Sequence, residues 1–434
     1  MFGNQTRHGL ERTFDALRGI AQRPRAENAA RRRRSAAPRF TAALTDFRPW
    51  QVGRVYPQDA ALDYTAWLLA VAERNRSPAA ERPSAEQCFE QYRERIRRYG
   101  ASSSAIARRQ IATFPERIAP DARGAPDLPV LFSEPGPHFL APGLEKRMDH
   151  FASVALGCFE SLYRDERDAP DDLIHVSCSG YLSPSPAQRY ASRRGWEATR
   201  VLHSYHMGCY GAFPPVQMAL GLLASAHCGL PRKSTRVDVV HTELLSLHAD
   251  FTSVDPGSLV NMTLFADGFV RYSLVPSASL LREGGSGLEV LAIDSRLIPD
   301  SSDEMTWKPR SDVFEMYLSK AVPAQIRSAI VPFVRELSAQ AGFDFEAHKH
   351  DLFYAVHPGG PKILDHVGEA LGIGAEKLEL SRKILFEHGN MSSATIPHIW
   401  AEALRDPAVP EGARIVSVAF GPGLTATGMV LRKL

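Results

Sequence analysis

The chain reads as an α/β protein. Stretches of helical periodicity alternate with short apolar runs of strand length along most of its 434 residues. That length buries a sizeable core and suggests two to three domain-sized units. The composition, 44% hydrophobic and 23% charged, is that of an ordinary globular chain, and no apolar run approaches the ~18 residues needed to span a bilayer. Five cysteines, Cys88, Cys158, Cys178, Cys209 and Cys228, show no C-x-x-C spacing. A disulfide scaffold or a structural zinc site is not expected, and a reducing cytoplasm fits.

Residues 1–40 hold ten arginines, including the run Arg31 to Arg34, against three acids, for a net charge of +7. With 51 basic and 49 acidic residues in the whole chain, the remainder carries −5. A solvated tail without fixed structure is expected there. Glu11, Asp15 and Glu27 speak against a transit peptide, there is no signal-peptide core, and no nucleic-acid partner is expected. Asp63–Arg74 and Ser84–Arg98 show helical periodicity with charged outer faces. Residues 126–145 are rich in Pro and Gly and read as loop. Leu144–Tyr163 reads as a helix, and Asp172–Val176 as a buried strand leading into Ser177-Cys178-Ser179-Gly180.

The segment from Arg236 to His248 also reads as a buried strand. Alternation puts His241 and Glu243 on one face and His248 on the other, so no metal site is expected. Residues 276–290 cluster Gly and Ser and mark the seam between a segment 41–282 and a segment 283–434. Ala324–Gln340 reads as a helix, and Ile415–Ala419 and Thr425–Leu431 as closing strands. There is no P-loop, no dinucleotide fingerprint and no G-x-S-x-G.

Chemistry concentrates around Cys209. Gly208 and Gly211 flank it closely, Pro214 and Pro215 follow, and Val216, Ala219, Leu220 and Leu223 recur at helical spacing. Cys209 is therefore expected at or just before a helix N-terminus, whose positive end favours the thiolate. A buried, inert cysteine has the same local signature. A nucleophile needs a base, and two later Gly-rich turns supply partners: His357 in Val356-His-Pro-Gly-Gly-Pro-Lys-Ile-Leu-Asp365, and Asn390 in Phe386-Glu-His-Gly-Asn-Met-Ser-Ser-Ala394. Cys, His and Asn together suit acyl transfer: a thiolate attacks, an imidazole moves protons, and an amide donates to developing negative charge.

These stretches, with Ala419-Phe-Gly-Pro-Gly423-Leu, resemble the type III polyketide synthases, the chalcone-synthase-like family of the thiolase superfamily, in a bacterial style. The four motifs occur in the family's order, and the 33 residues between His357 and Asn390 match its spacing. The resemblance runs from about residue 45 to the C-terminus. It implies a thiolase-like five-layer αβαβα sandwich of two pseudo-repeated halves, in a homodimer. It also implies condensation of an acyl-CoA starter, with a lean towards a fatty acyl group, with malonyl-CoA. The product would cyclise to a pyrone or phenolic ring, and neither metal nor redox cofactor is used. A single-condensation ketoacyl synthase of the fatty-acid-initiation type is the alternative.

By the same resemblance Cys209, His357 and Asn390 are catalytic. Phe265 and Met316 stand where gatekeeper residues stand, and Cys178, His248 and Gly423 line the acyl cavity. Glu243 is a buried acid near the nucleophile. Arg108 and Arg109 align loosely with the segment that holds coenzyme A phosphates.

Overall fold

The structure, a computed structural model, describes residues 40–122, 124–133, 139–225 and 233–434. The basic tail and Cys228 lie outside the described residues. Strand β1 (Ala42–Trp50) and the short β2 (Val55–Pro57) lead into α1 (Gln58–Arg76) and α2 (Ala85–Tyr99). The Ser84 hydroxyl caps α2 by accepting from the Gln87 N–H at 3.1 Å. β3 (Arg108–Gln110) pairs with β2. Then come α3 (Leu144–Leu162), β4 (Asp172–Ser177), α4 (Pro186–Arg193), β5 (Arg200–Tyr205) and α5 (Phe213–Ala224). They are followed by β6 (Val237–Glu243), α6 (Pro256–Leu264), β7 (Gly268–Pro276) and α7 (Ser277–Arg282).

The later segment opens with β8 (Leu288–Leu297) and the hairpin β9 (Met305–Pro309) and β10 (Phe314–Leu318). It continues with α8 (Val322–Gln340), α9 (Phe345–His348), β11 (Phe353–Val356) and α10 (Pro361–Leu371). It ends with α11 (Glu379–His388), α12 (Thr395–Arg405), β12 (Arg414–Gly421) and β13 (Thr425–Lys433). Most expected elements recur with ends moved by a few residues. The strand expected through His248 stops at Glu243, and His248 sits in a 3₁₀ turn, Leu245–His248.

Nine strands share one sheet in the order β11-β12-β13-β8-β1-β7-β6-β4-β5. β4 is parallel to both β5 and β6, and β11 is parallel to β12. β4 and β6 are buried at every residue, which is why they read as near-continuous apolar runs. β8 meets β1 at only two register pairs, Ala43 with Glu289 and Leu44 with Leu288. The sheet folds at this join. Helix α5 touches β6, β7 and β13, and α12 touches β1, β7 and β11, which a flat sheet would hold apart.

Both central helices are apolar around most of their circumference, as enclosure on two sides requires. α3 and α4 cover one outer face, and α8 and α10 the other. Helix, sheet, helix, sheet, helix is the five-layer order that was expected. The C-terminal ends of β6, β11 and β12 reach the same region as the turn after β5, and there the chemistry-bearing side chains gather.

Candidate active site

Cys209 lies in a 3₁₀ turn, Gly208–Tyr210, between β5 and α5. Gly208 has φ +74°, and a Cβ on it would stand 2.5 Å from Pro422 Cδ. Gly421 is equally confined: its Cβ would stand 2.4 Å from a ring carbon of Tyr210. The Phe-Gly-Pro-Gly turn after β12 thus clamps the cysteine turn, and glycine is required on both sides of the contact. Gly421 and Pro422 make this clamp. Gly423, with φ +117°, shapes the turn back to β13.

Cys209 is 7% exposed, and burial pushes its thiol up to about 12. The nearby Ser392 and Asn390 side chains oppose that rise, while the Glu243 carboxylate adds to it. α5 begins only at Phe213, four residues after Cys209, and burial favours the protonated thiol.

Asn390 is held by its backbone. Its N–H donates to Leu264 O at 3.1 Å, and its C=O accepts from Ala266 N at 2.9 Å, forming a bridge alongside Phe265. Its side-chain oxygen accepts from Ser392 N at 2.9 Å, which fixes the orientation of the carboxamide. Ser392 takes φ +49°, a costly conformation for a serine that this turn sustains.

His357 follows β11. Its N–H donates to Val418 O on β12 at 2.8 Å, three residues before Gly421 touches the Cys209 turn. His357 and the nucleophile are thus placed by one strand, although no hydrogen bond joins them. The ring is 3% exposed, and neither nitrogen has a partner. Burial drives its pKa down to about 3, so it is neutral at physiological pH. Leaving a buried polar group unmade costs about 1–3 kcal/mol, a cost that marks a group kept for a transient partner.

Glu243 sits behind the nucleophile. It accepts from Cys178 N at 2.9 Å, from the Ser179 hydroxyl at 3.1 Å and from the Ser393 hydroxyl, and burial raises its pKa to about 7. Ser393 also meets His241 Nδ1 at 3.0 Å. Cys178 Sγ accepts from Gly208 N at 2.9 Å, which ties the end of β4 to the cysteine turn.

His248 cross-links two loops: Nε2 donates to Ser179 O at 2.7 Å, and Nδ1 accepts from Phe314 N at 3.1 Å. It stacks on Phe314 at 4.4 Å and meets Trp307 edge-on at 5.5 Å. Trp307 in turn donates to Cys178 O at 2.7 Å. Trp307 and Ser392 escaped the sequence reading, because single residues inside a matched stretch carry no periodic signal. Phe265, Met316, His248, Trp307 and Phe314 line one cavity of about 140 Å³.

Arg109 lines the same cavity as Phe265 and Met316, with Nη2 left without a hydrogen-bond partner. It is 1% exposed and clamps α6, donating to Gln58 Oε1 at 2.7 Å, Met262 O at 3.0 Å and Phe265 O at 2.6 Å. Arg108 is exposed but lies at the rim of a different cavity. Among the described residues no three His, Cys, Asp or Glu side chains converge as metal ligands. No described helix is long and apolar enough to cross a membrane.

The chain is similar to known proteins in sequence and in fold. Residues 289–434 match the C-terminal domain of chalcone and stilbene synthases. A 1,3,6,8-tetrahydroxynaphthalene synthase of Streptomyces coelicolor is 31% identical over 258 residues, covering 59% of this chain and 64% of that protein. Type III polyketide synthase A of Arabidopsis thaliana is 27% identical over 287 residues, covering 65% and 70%. The chain thus spans just under two thirds of the length of the bacterial relative.

The crystal structure of a brown-algal PKS-I from Ectocarpus siliculosus superposes with TM-score 0.73 at 20% identity, covering 92% of this chain and all of that one. The Streptomyces coelicolor tetrahydroxynaphthalene synthase structure superposes with TM-score 0.68 at 24% identity, covering 90% and 99%. Residues 289–434 thus match the C-terminal domain of chalcone and stilbene synthases, the chain is similar in sequence to type III polyketide synthases, and it shares their fold.

Proposed function

We propose that the chain condenses an acyl-CoA starter with malonyl-CoA as a type III polyketide synthase. One observation carries this reading: a buried sulfur faces the Asn390 amide and the Ser392 hydroxyl, while the neutral, unpartnered His357 is set by the strand that clamps the sulfur's own turn. Cys209 Sγ attacks the starter thioester as His357 takes its proton. The thiol of coenzyme A then leaves with that proton. In malonyl-CoA the bond to the carboxylate breaks, CO₂ departs, and the electron pair becomes an enolate. Its oxygen accepts hydrogen bonds from His357 and Asn390. The enolate carbon attacks the acyl–Cys209 carbonyl and releases the sulfur. Repeated rounds give a poly-β-ketone that closes to a pyrone or phenolic ring. The chemistry calls for no metal or redox cofactor.

Phe265 and Met316 are read as gatekeepers at the chamber entrance, with the apolar side chains beside them suited to an aliphatic starter. Arg97 and Arg98, in the last turn of α2, offer phosphate contacts for coenzyme A. α2 packs on α6, which lines the same cavity, and Arg95 donates to Val254 O at 2.6 Å. The chain is read as a homodimer in the cytoplasm. β5 is a sheet edge, and beside it Tyr181, 67% exposed, packs against Tyr205.

The test is incubation with a panel of acyl-CoA starters and labelled malonyl-CoA, read by mass spectrometry. Products carrying a starter and two or more added two-carbon units are expected. Exactly one added unit with every starter would replace this reading with single condensation, and no incorporation of label would remove it.

A further inference from the structure

The reverse side of the Asn390 turn faces a second cavity, of about 440 Å³. Trp50, Phe269 and Met391 form an apolar wall, with Trp50 edge-on to Phe269 at 5.6 Å. Arg108, His388 and His398 supply the polar side. Other polar lining groups are already engaged. Gln110 accepts from Val52 N at 2.9 Å and donates to Asp267 O at 3.3 Å, and the Asp267 carboxylate accepts from Ala112 N, Ser246 N and the Ser246 hydroxyl.

His398 differs. It is only 7% exposed, and its Nδ1 lies 2.7 Å from Ala394 O. A carbonyl accepts only, so Nδ1 carries the proton and Nε2 presents a lone pair on the cavity-lining ring. Burial holds this imidazole neutral, with a pKa of about 3. The cavity therefore asks for an X–H donor at depth. At its rim the Arg108 guanidinium, engaged only through Nε with Glu387 O at 3.4 Å, asks for an acceptor. Between them lies an aromatic and sulfur-bearing wall that suits a flat ring.

A carboxylate brings no proton for Nε2, a phosphate offers no ring for the aromatic wall, and an ammonium would sit beside Arg108. Glu387, also on the rim, further disfavours an anion. A hydroxylated aromatic ring meets all three demands: one O–H donates to His398 Nε2, a second oxygen accepts from Arg108, and the ring lies against Trp50 and Met391.

We propose that this cavity binds a phenolic ring and thereby slows the enzyme. Met391 lies in its wall between Asn390 and Ser392, and it packs so tightly on Gly268 that a Cβ there would stand 2.5 Å from Met391 Cβ. An occupant therefore bears on the two donors that face Cys209. That the ring is the chain's own class of product rests on the polyketide reading. The site itself does not.

Resorcinol is the probe, with 1,3-dimethoxybenzene as the ring that lacks donors. In the full chain, resorcinol is expected to bind by calorimetry and to slow malonyl-CoA decarboxylation without competing with the starter, and the dimethoxy ring to do neither. His398→Phe should weaken binding and inhibition about tenfold, with kcat and KM for malonyl-CoA unchanged, and the exposed Arg108→Gln should weaken resorcinol binding about tenfold. Unchanged resorcinol affinity in both variants overturns the site, as does inhibition that competes with the starter. Binding without slowing overturns the feedback. If the parent chain fails to decarboxylate malonyl-CoA, the polyketide reading falls, and the calorimetry still decides the site.

Discussion

Two thiols lie within the same small region, Cys178 at the end of β4 and Cys209 in the turn after β5, and their surroundings differ in kind. Both are buried, 4% and 7% exposed, and burial raises the pKa of both. Cys178 then feels the charge of Glu243, which the backbone amide of Gly208 offsets. Cys209 is faced by two donating side chains, Asn390 and Ser392. Burial does not select a nucleophile. Side-chain donors that can follow negative charge from sulfur to substrate oxygen do. Cys178 instead positions the Gly208 peptide and, through its carbonyl, Trp307.

Exchanging the two roles tests this difference most severely. Cys209→Ala should lower carbon–carbon bond formation by at least about 10³-fold, since the residual binding site offers no nucleophile. Product formation at the parent rate would assign the reaction to Cys178 or elsewhere. Asn390→Ala should cost about 10²–10³-fold in malonyl-CoA decarboxylation, the usual cost of losing one oxyanion donor. Acylation of Cys209 by the starter, seen as an added mass on the intact protein, should survive. Equal decarboxylation in mutant and parent would remove Asn390 from the chemistry.

Two smaller effects sharpen the contrast. Glu243 holds the Cys209 thiol higher by its charge, so Glu243→Gln should lower that pKa. Iodoacetamide should then alkylate Cys209 about three- to tenfold faster at pH 8. A slower reaction would mean that Glu243 orders the turn more than it repels the thiolate. Cys178→Ser keeps a hydrogen-bonding atom against Gly208, so turnover should stay within about fivefold of the parent. A loss comparable to that of Cys209→Ala would give Cys178 a share in the chemistry.

The amino-acid sequence by itself determined the α/β alternation, the turns that carry Cys209, His357 and Asn390, and the glycines those turns need. Each is a local matter of periodicity, φ angle or spacing. Arg109 shows where local reading stops. A loose family resemblance suggested a phosphate ligand, and it gave no sign that the fold holds its Nε and Nη1 on Gln58 and the end of α6. The charge state of Cys209 stops there too, because desolvation depends on what surrounds the sulfur in space, not on the helix that follows it in the chain. Only the tertiary structure decided that Gly421 and Pro422 clamp the cysteine turn, that Trp307 and His248 line a cavity with Phe265 and Met316, and that His398 lines a second cavity with Met391. These are pairings between segments up to a few hundred residues apart. They arise when the sheet folds around α5 and α12, and no stretch of the chain records them alone.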